Sequence, residues 1–154
     1  MIYSPLRRTI ETTMASFGDF CSTFPSKCLA VADLQENNNG IMVCDTGSTP
    51  ASLQKQYPSF DFSHLPENWM TADSHLSETK SLHIRHNRVK EWITRRPESE
   101  IAVVAHHGTI KGLIGIELKN AEVIEVKLNR TSKEFIHPAR VYKNECIEYT
   151  NIDL

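Results

Sequence analysis

The first apolar positions of the chain recur at helical spacing. In "MIYSPLRRTIETTMASF", Leu6, Ile10, Met14 and Phe17 share one helical face, so a helix with one buried side is expected after Ser4. Ser4 is a good N-cap, and Pro5 suits the first helical position, where a missing N–H leaves nothing unsatisfied. The residues before Ser4 read as the last of a strand. Arg7 and Arg8 fall in the opening turns of the helix, where unpaired backbone N–H groups and the helix dipole favour an anion.

Periodicity then lapses. Residues 27–48 hold "CLAVADLQE", "NNNG" and "CDTGS", whose Asn, Gly and Asp predict a loop with only local structure. Thr49-Pro50 restarts a helix by the same cap-then-proline logic, carrying Leu53 and Tyr57. "YPSFDFSHLPENWM" is aromatic and interrupted by proline, which predicts a packed irregular segment. Residues 77–96 form the longest helical pattern, with Leu82, Val89, Trp92 and Ile93 inward, Lys and Arg outward, and Pro97 as the stop. "IAVVA" is too short for a helix and rich in β-branched residues, which predicts a buried strand of a parallel sheet. A helix start follows in "TIKGLIG". "AEVIEVKL" and "ARVYKNECIEY" alternate as strands with a polar face. Elements in this order predict one α/β sandwich domain over residues 1–154, with ligands at the carboxyl ends of the parallel strands.

Composition narrows the function classes. A chain of 154 residues, 40% apolar and 23% charged, is an ordinary globular domain able to bury a core. Its net charge of −2, with basic pairs only at Arg7-Arg8 and Arg95-Arg96, argues against a nucleic-acid or membrane-surface binder. No apolar stretch approaches transmembrane length, and residues 1–20 lack the layout of a signal peptide, so a cytoplasmic, reducing setting is expected. The four cysteines, Cys21, Cys28, Cys44 and Cys146, show neither CxxC nor zinc spacing, and are expected to be free, buried or semi-buried thiols. A thiol phosphatase loop would need Arg six positions after Cys, where Lys27 and Pro50 follow Cys21 and Cys44. GxSxG, GxxxxGK and HExxH are absent.

Four features carry candidate chemistry. His106 and His107 lie where "VVA" ends and before Gly108, the expected site position at a strand end, and alternation lets only one of them face the site. Arg8, on the first helical turns, is placed as a bidentate phosphate clamp, while Arg7 reads as a solvated neighbour. Glu36, ending "DLQE", is a loop carboxyl able to protonate a leaving alcohol. His83 and His86, with His75 nearby, have a spacing seen in metal sites. Arg85 and Arg88 beside them would repel a cation, so solvated histidines and no metal are expected.

In order along the chain, "SPLRRTIETT", "DLQE…CDTGS", "RPESEIAVVAHHGTIKGLIG" and "LKNAEV" resemble the histidine phosphatase superfamily, the phosphoglycerate-mutase-like fold, and are similar to its small fungal members. The resemblance covers nearly the whole chain. It implies a three-layer sandwich with a mostly parallel central sheet flanked by helices. It also implies hydrolysis or transfer of phosphoryl esters or anhydrides through a phosphohistidine, with no cofactor and with a small phosphorylated substrate or phosphate as partner. In that family two histidines and two arginines surround the phosphoryl group and a Glu or Asp protonates the leaving group. Residue by residue, the motif arginine falls on Arg8, four positions after Ser4, and the second histidine on His106. His107 takes the adjoining phosphate-binding position, where the backbone N–H matters more than the ring, and the acid matches Glu36.

The nucleophile and the other arginine belong to an Arg-His-Gly motif at the end of the family's first strand. This sequence contains no such triplet, and "IRH" at 84–86 is followed by Asn87 within a helical pattern. The resemblance therefore implies a domain truncated before its first strand and helix, with turnover impaired. The alternative is a non-catalytic phosphate-binding or protein-interaction relative. A missing central strand would leave buried ladder groups unpaired, at on the order of 1–3 kcal/mol each.

Overall fold

The computed structural model describes residues 1–37, 43–71, 78–142 and 150–151. Its centre is a parallel sheet of three very short strands, ordered β2–β1–β3: β1 (Ile2–Tyr3), β2 (Leu29–Ala30) and β3 (Val103–Val104). Ile2 pairs with Leu29 and Val103, and Tyr3 with Ala30 and Val104. Successive side chains of a strand point to opposite faces, so Ile2 and Tyr3 enter different cores. Tyr3 joins Leu6, Ile10, Leu53, Phe60, Phe62 and Trp69. Ile2 joins Leu34, Val89, Ile93 and Leu113.

The first core is built by α1 (Arg7–Thr23), α2 (Pro50–Gln56) and the segment after α2. Helix α1 begins two residues later than the cap signal suggests. Leu6 is still extended, and the Ser4 hydroxyl accepts from the Leu6 N–H at 3.4 Å. Thr9, Ile10 and Thr13 face inward, but Met14 and Phe17 are exposed, contrary to the periodic reading. Phe17 has non-helical angles (φ −138°, ψ 16°), which take it and the residues after it out of phase; Met14, ahead of the break, is exposed on the regular helix. Helix α2 follows its sequence signal closely: the Thr49 hydroxyl accepts from the Ser52 N–H, Pro50 opens the helix, and Leu53 and Tyr57 are buried. The irregular aromatic segment packs as expected, with Phe60 edge-on to Tyr3 and the Trp69 indole N–H donating to the Ser48 carbonyl at 3.0 Å.

Two expectations about residues 21–48 are corrected. Cys21 and Cys28 are joined in a disulfide, with Cα atoms 5.5 Å apart, rather than free. The turn at Pro25–Lys27 reverses the chain and brings the end of α1 back to the start of β2. Cys44 is free and exposed, and Cys146 lies outside the described residues. The stretch read as loop contributes β2, held by Leu29 N–H to Met1 O and Val31 N–H to Tyr3 O. Two residues of strand are too few to leave an alternating pattern.

The second core lies under α3 (Glu78–Thr94) and α4 (His107–Ile114). Ser81, Arg85, Val89 and Ile93, four residues apart in turn, form the inward face of α3. Val89 and Ile93 are inward as expected, Leu82 and Trp92 are half-buried, and Arg85 is buried rather than outward. The helix stops at Thr94, ahead of Pro97. Strand β3 is parallel as predicted but not buried: it pairs only with β1 among the described residues, and Val103 is 38% exposed. Helix α4 closes at Gly115, whose φ of 75° suits a residue without a Cβ.

The α/β class holds, but the single mostly parallel sheet does not. Strands β4 (Val123–Asn129), β5 (Glu134–Tyr142) and β6 (Thr150–Asn151) form a separate antiparallel sheet, and the end of the "ARVYKNECIEY" pattern, at 143–149, lies outside the described residues. Among the described residues no helix is long and apolar enough to cross a membrane.

Candidate functional site

Three connections leave the carboxyl ends of the parallel strands and bring the candidate residues to one end of the sheet. Ser4 follows β1, the Gln35–Glu36 turn follows β2, and His106 follows β3. His106 is extended (φ −113°, ψ 161°), precedes the first turn of α4 and is 4% exposed. Its Nε2 lies 2.8 Å from the Oγ of Ser4, itself fully buried. Burial holds the imidazole far below its usual range, at about 3. The nearby Arg8 charge pushes the same way, Asp45 opposes it, and Arg85 adds a further push downward. The ring is therefore neutral near pH 7 and carries a single N–H.

His107 points elsewhere. It is exposed, and its Nδ1 lies 2.9 Å from the Leu118 carbonyl, which makes Nδ1 the protonated nitrogen. Of the adjacent histidines, then, only His106 faces Ser4. Residue 107 does open α4, where the first backbone N–H groups have no partner within the helix and suit an anion.

Arg8 sits on the first turn of α1 with its guanidinium half exposed. Nη1 donates to the Cys44 carbonyl at 2.6 Å and Nη2 to the Asp45 carboxylate at 2.7 Å. Asp45 is 5% exposed in its side chain, so the pair sits at the boundary between core and solvent. Arg7 faces the other way and donates to Gln56. Glu36 reaches the first turn of α4: a Cβ at Gly108 would lie 2.7 Å from Glu36 Oε1 and would collide with the Asn37 amide. The same Oε1 accepts from the Asn37 N–H at 2.8 Å. Glycine at 108 is what lets this turn approach the helix.

Sequence reasoning missed two charged residues here. Asp45 lies inside the quoted "CDTGS" but carries no periodic or motif signal of its own. Arg85, on the buried face of α3, donates from Nη1 to the Gln35 carbonyl at 3.0 Å. A spacing of four through Ser81, Arg85, Val89 and Ile93 was the available signal, overridden by the expectation that arginine is solvated. Of the three histidines in the weak metal pattern, two lie among the described residues. His83 bonds the Asn87 amide, His86 packs against Gly112 with its ring held at about 4 by burial, and His75 is outside the described residues. Among the described residues no group of three His, Cys, Asp or Glu is arranged to hold a metal.

A neutral imidazole, a guanidinium, a carboxyl and a helix N-terminus at one end of the sheet make a set suited to a tetrahedral oxyanion. Comparison with curated proteins and with solved structures finds no match. The family model of the histidine phosphatase superfamily (branch 1) matches residues 1–139, which contain the whole cluster. By that match over most of its length, the chain belongs to the histidine phosphatase superfamily, branch 1.

Proposed function

We propose that this chain binds the phosphoryl group of a small phosphate ester or anhydride at the carboxyl end of its parallel sheet. Arg8 and His106 hold the oxygens, the backbone N–H of His107 at the start of α4 adds a further donor, and Glu36 is the acid that would protonate the leaving oxygen once a nucleophile attacks phosphorus. The observation that carries this reading is the buried, neutral His106, set against Ser4 and within the field of Arg8.

Covalent turnover needs a nucleophile that these groups do not supply. Neutral His106 has its Nε2 against a hydroxyl, and Arg8 and Glu36 are electrostatic and proton-donating groups. We infer that the family's Arg-His-Gly nucleophile, absent from this sequence, must be added before the site turns substrate over, and that the chain alone binds phosphate with little hydrolysis.

The test pairs binding with turnover. Inorganic phosphate is expected to raise the melting temperature, and Arg8→Ala to remove that shift, while hydrolysis of a generic phosphomonoester stays near background. An unchanged melting temperature in phosphate would refute the site. Robust hydrolysis, abolished by His106→Ala and accompanied by a trapped phosphoenzyme, would refute the assignment of roles.

A further inference from the structure

We propose that Arg85 is a positioning residue of this site, pinning the Gln35–Glu36 turn against the first turn of α4. The inference rests on the phosphate site proposed above. Arg85 is 1% exposed in the middle of α3. A guanidinium withdrawn so far from water is tolerated where its donors meet fixed acceptors, and its planar fork suits such a role better than an ammonium. One acceptor is the Gln35 carbonyl, 3.0 Å from Nη1. The same oxygen accepts the Thr109 hydroxyl at 2.8 Å, and Thr109 is fully buried in the first turn of α4.

One carbonyl thus joins three elements distant in sequence: the turn after β2, helix α3 and helix α4. The next residue along is Glu36, whose carboxyl lies over Gly108 in the space left by the missing Cβ. A shift of the Gln35 carbonyl carries Glu36 with it, away from the corner formed by His106 and α4. Arg85 also contributes positive potential at His106, so its removal alters the site by two routes that act in the same place. It does so without contacting the phosphate.

The decisive comparison is between Arg85→Met, Arg85→Lys and Thr109→Val, with Arg8→Ala as reference. The readouts are inorganic-phosphate affinity by calorimetry, amide exchange at Glu36 and Asn37, and melting temperature. Arg85→Met is expected to bind phosphate roughly tenfold more weakly and to exchange faster at Asn37. Arg85→Lys should recover most of both, and Thr109→Val, which removes one donor to the shared carbonyl, should weaken binding about threefold. A merely structural arginine would lower the melting temperature and leave the phosphate affinity of the folded protein unchanged. That result with Arg85→Met overturns the proposal. If Arg85→Met does not fold, unaltered affinity and exchange in Thr109→Val overturn it instead. Should Arg8→Ala leave phosphate affinity intact, the site reading fails separately, and exchange at Asn37 still decides whether Arg85 pins the turn.

Discussion

Acid should weaken this fold well above the pH at which carboxylates are protonated, and His106 should be a principal cause. In the folded chain its imidazole is held at about 3, against an ordinary value of 6.5. A histidine depressed in this way binds fewer protons folded than unfolded, so its contribution to stability is fully present above 6.5. It is lost as pH falls from 6.5 toward 3. Between pH 7.5 and 5 the unfolded chain takes up almost a full proton at this position while the folded chain takes up almost none. The integrated loss is about 2 kcal/mol, and it hardly changes if the folded value lies a unit higher. His86, held at about 4 by burial, adds a smaller loss in the same direction because its ring is only partly withdrawn from solvent. Urea unfolding followed by circular dichroism from pH 7.5 to 5 gives the total. His106→Gln keeps a group able to bond the Ser4 hydroxyl but cannot titrate, so the pH-dependent loss should fall by roughly 2 kcal/mol. Should the variant lose stability with the same pH slope as the parent, His106 does not titrate as argued and the buried, neutral imidazole is refuted.

Two further outcomes follow from pairs at the edge of the site and of the core. Asp45 occupies one edge of the Arg8 guanidinium, the group proposed to hold the phosphoryl oxygens. Asp45→Asn should therefore tighten inorganic phosphate by about three- to fivefold, a modest gain because Arg8 is half exposed and its pair is partly screened. Weaker binding, read by calorimetry, would mean that Asp45 orients Arg8 more than it competes for it. The Cys21–Cys28 disulfide closes a loop with a sequence separation of 7, for which the chain-entropy estimate is about 2.4 kcal/mol. The double variant Cys21→Ser/Cys28→Ser should lower the urea midpoint by the corresponding amount, and an unchanged midpoint would show the link to be thermodynamically idle.

The positions of His106 and Arg8 at one end of the sheet were legible because they depend on local signals. His106 could be placed from the end of a β-branched run and the alternation of strand side chains. Arg8 followed from the cap-then-proline start of α1, even though that helix begins two residues later than its signal. What escaped were features created by distant partners. Asp45 acquires its role from Arg8, 37 residues away, and Arg85 from the Gln35 carbonyl, 50 residues away. Nothing in the local pattern distinguishes such residues from solvated charges. The cysteine pair was missed for a related reason: its proximity comes from a short turn after a helix, not from a recognisable spacing. The sheet was over-read in the opposite direction. "IAVVA" is apolar enough for a buried strand, yet only Val103–Val104 pairs, at the margin of a small sheet, while the later strands associate among themselves.

The hydrogen bond between Ser4 and His106 joins residues 102 apart. Its two ends cannot meet until nearly all of the parallel layer has been closed by chain loops, the slowest kind of contact to form because loop entropy is surrendered before any packing is gained. Helices α1 and α2 can organise early from neighbouring residues; the corner between Ser4 and His106 cannot. During synthesis the Ser4–His106 contact closes only after residue 106 has emerged, so the carboxyl end of the parallel sheet is among the later parts of this layer to be completed.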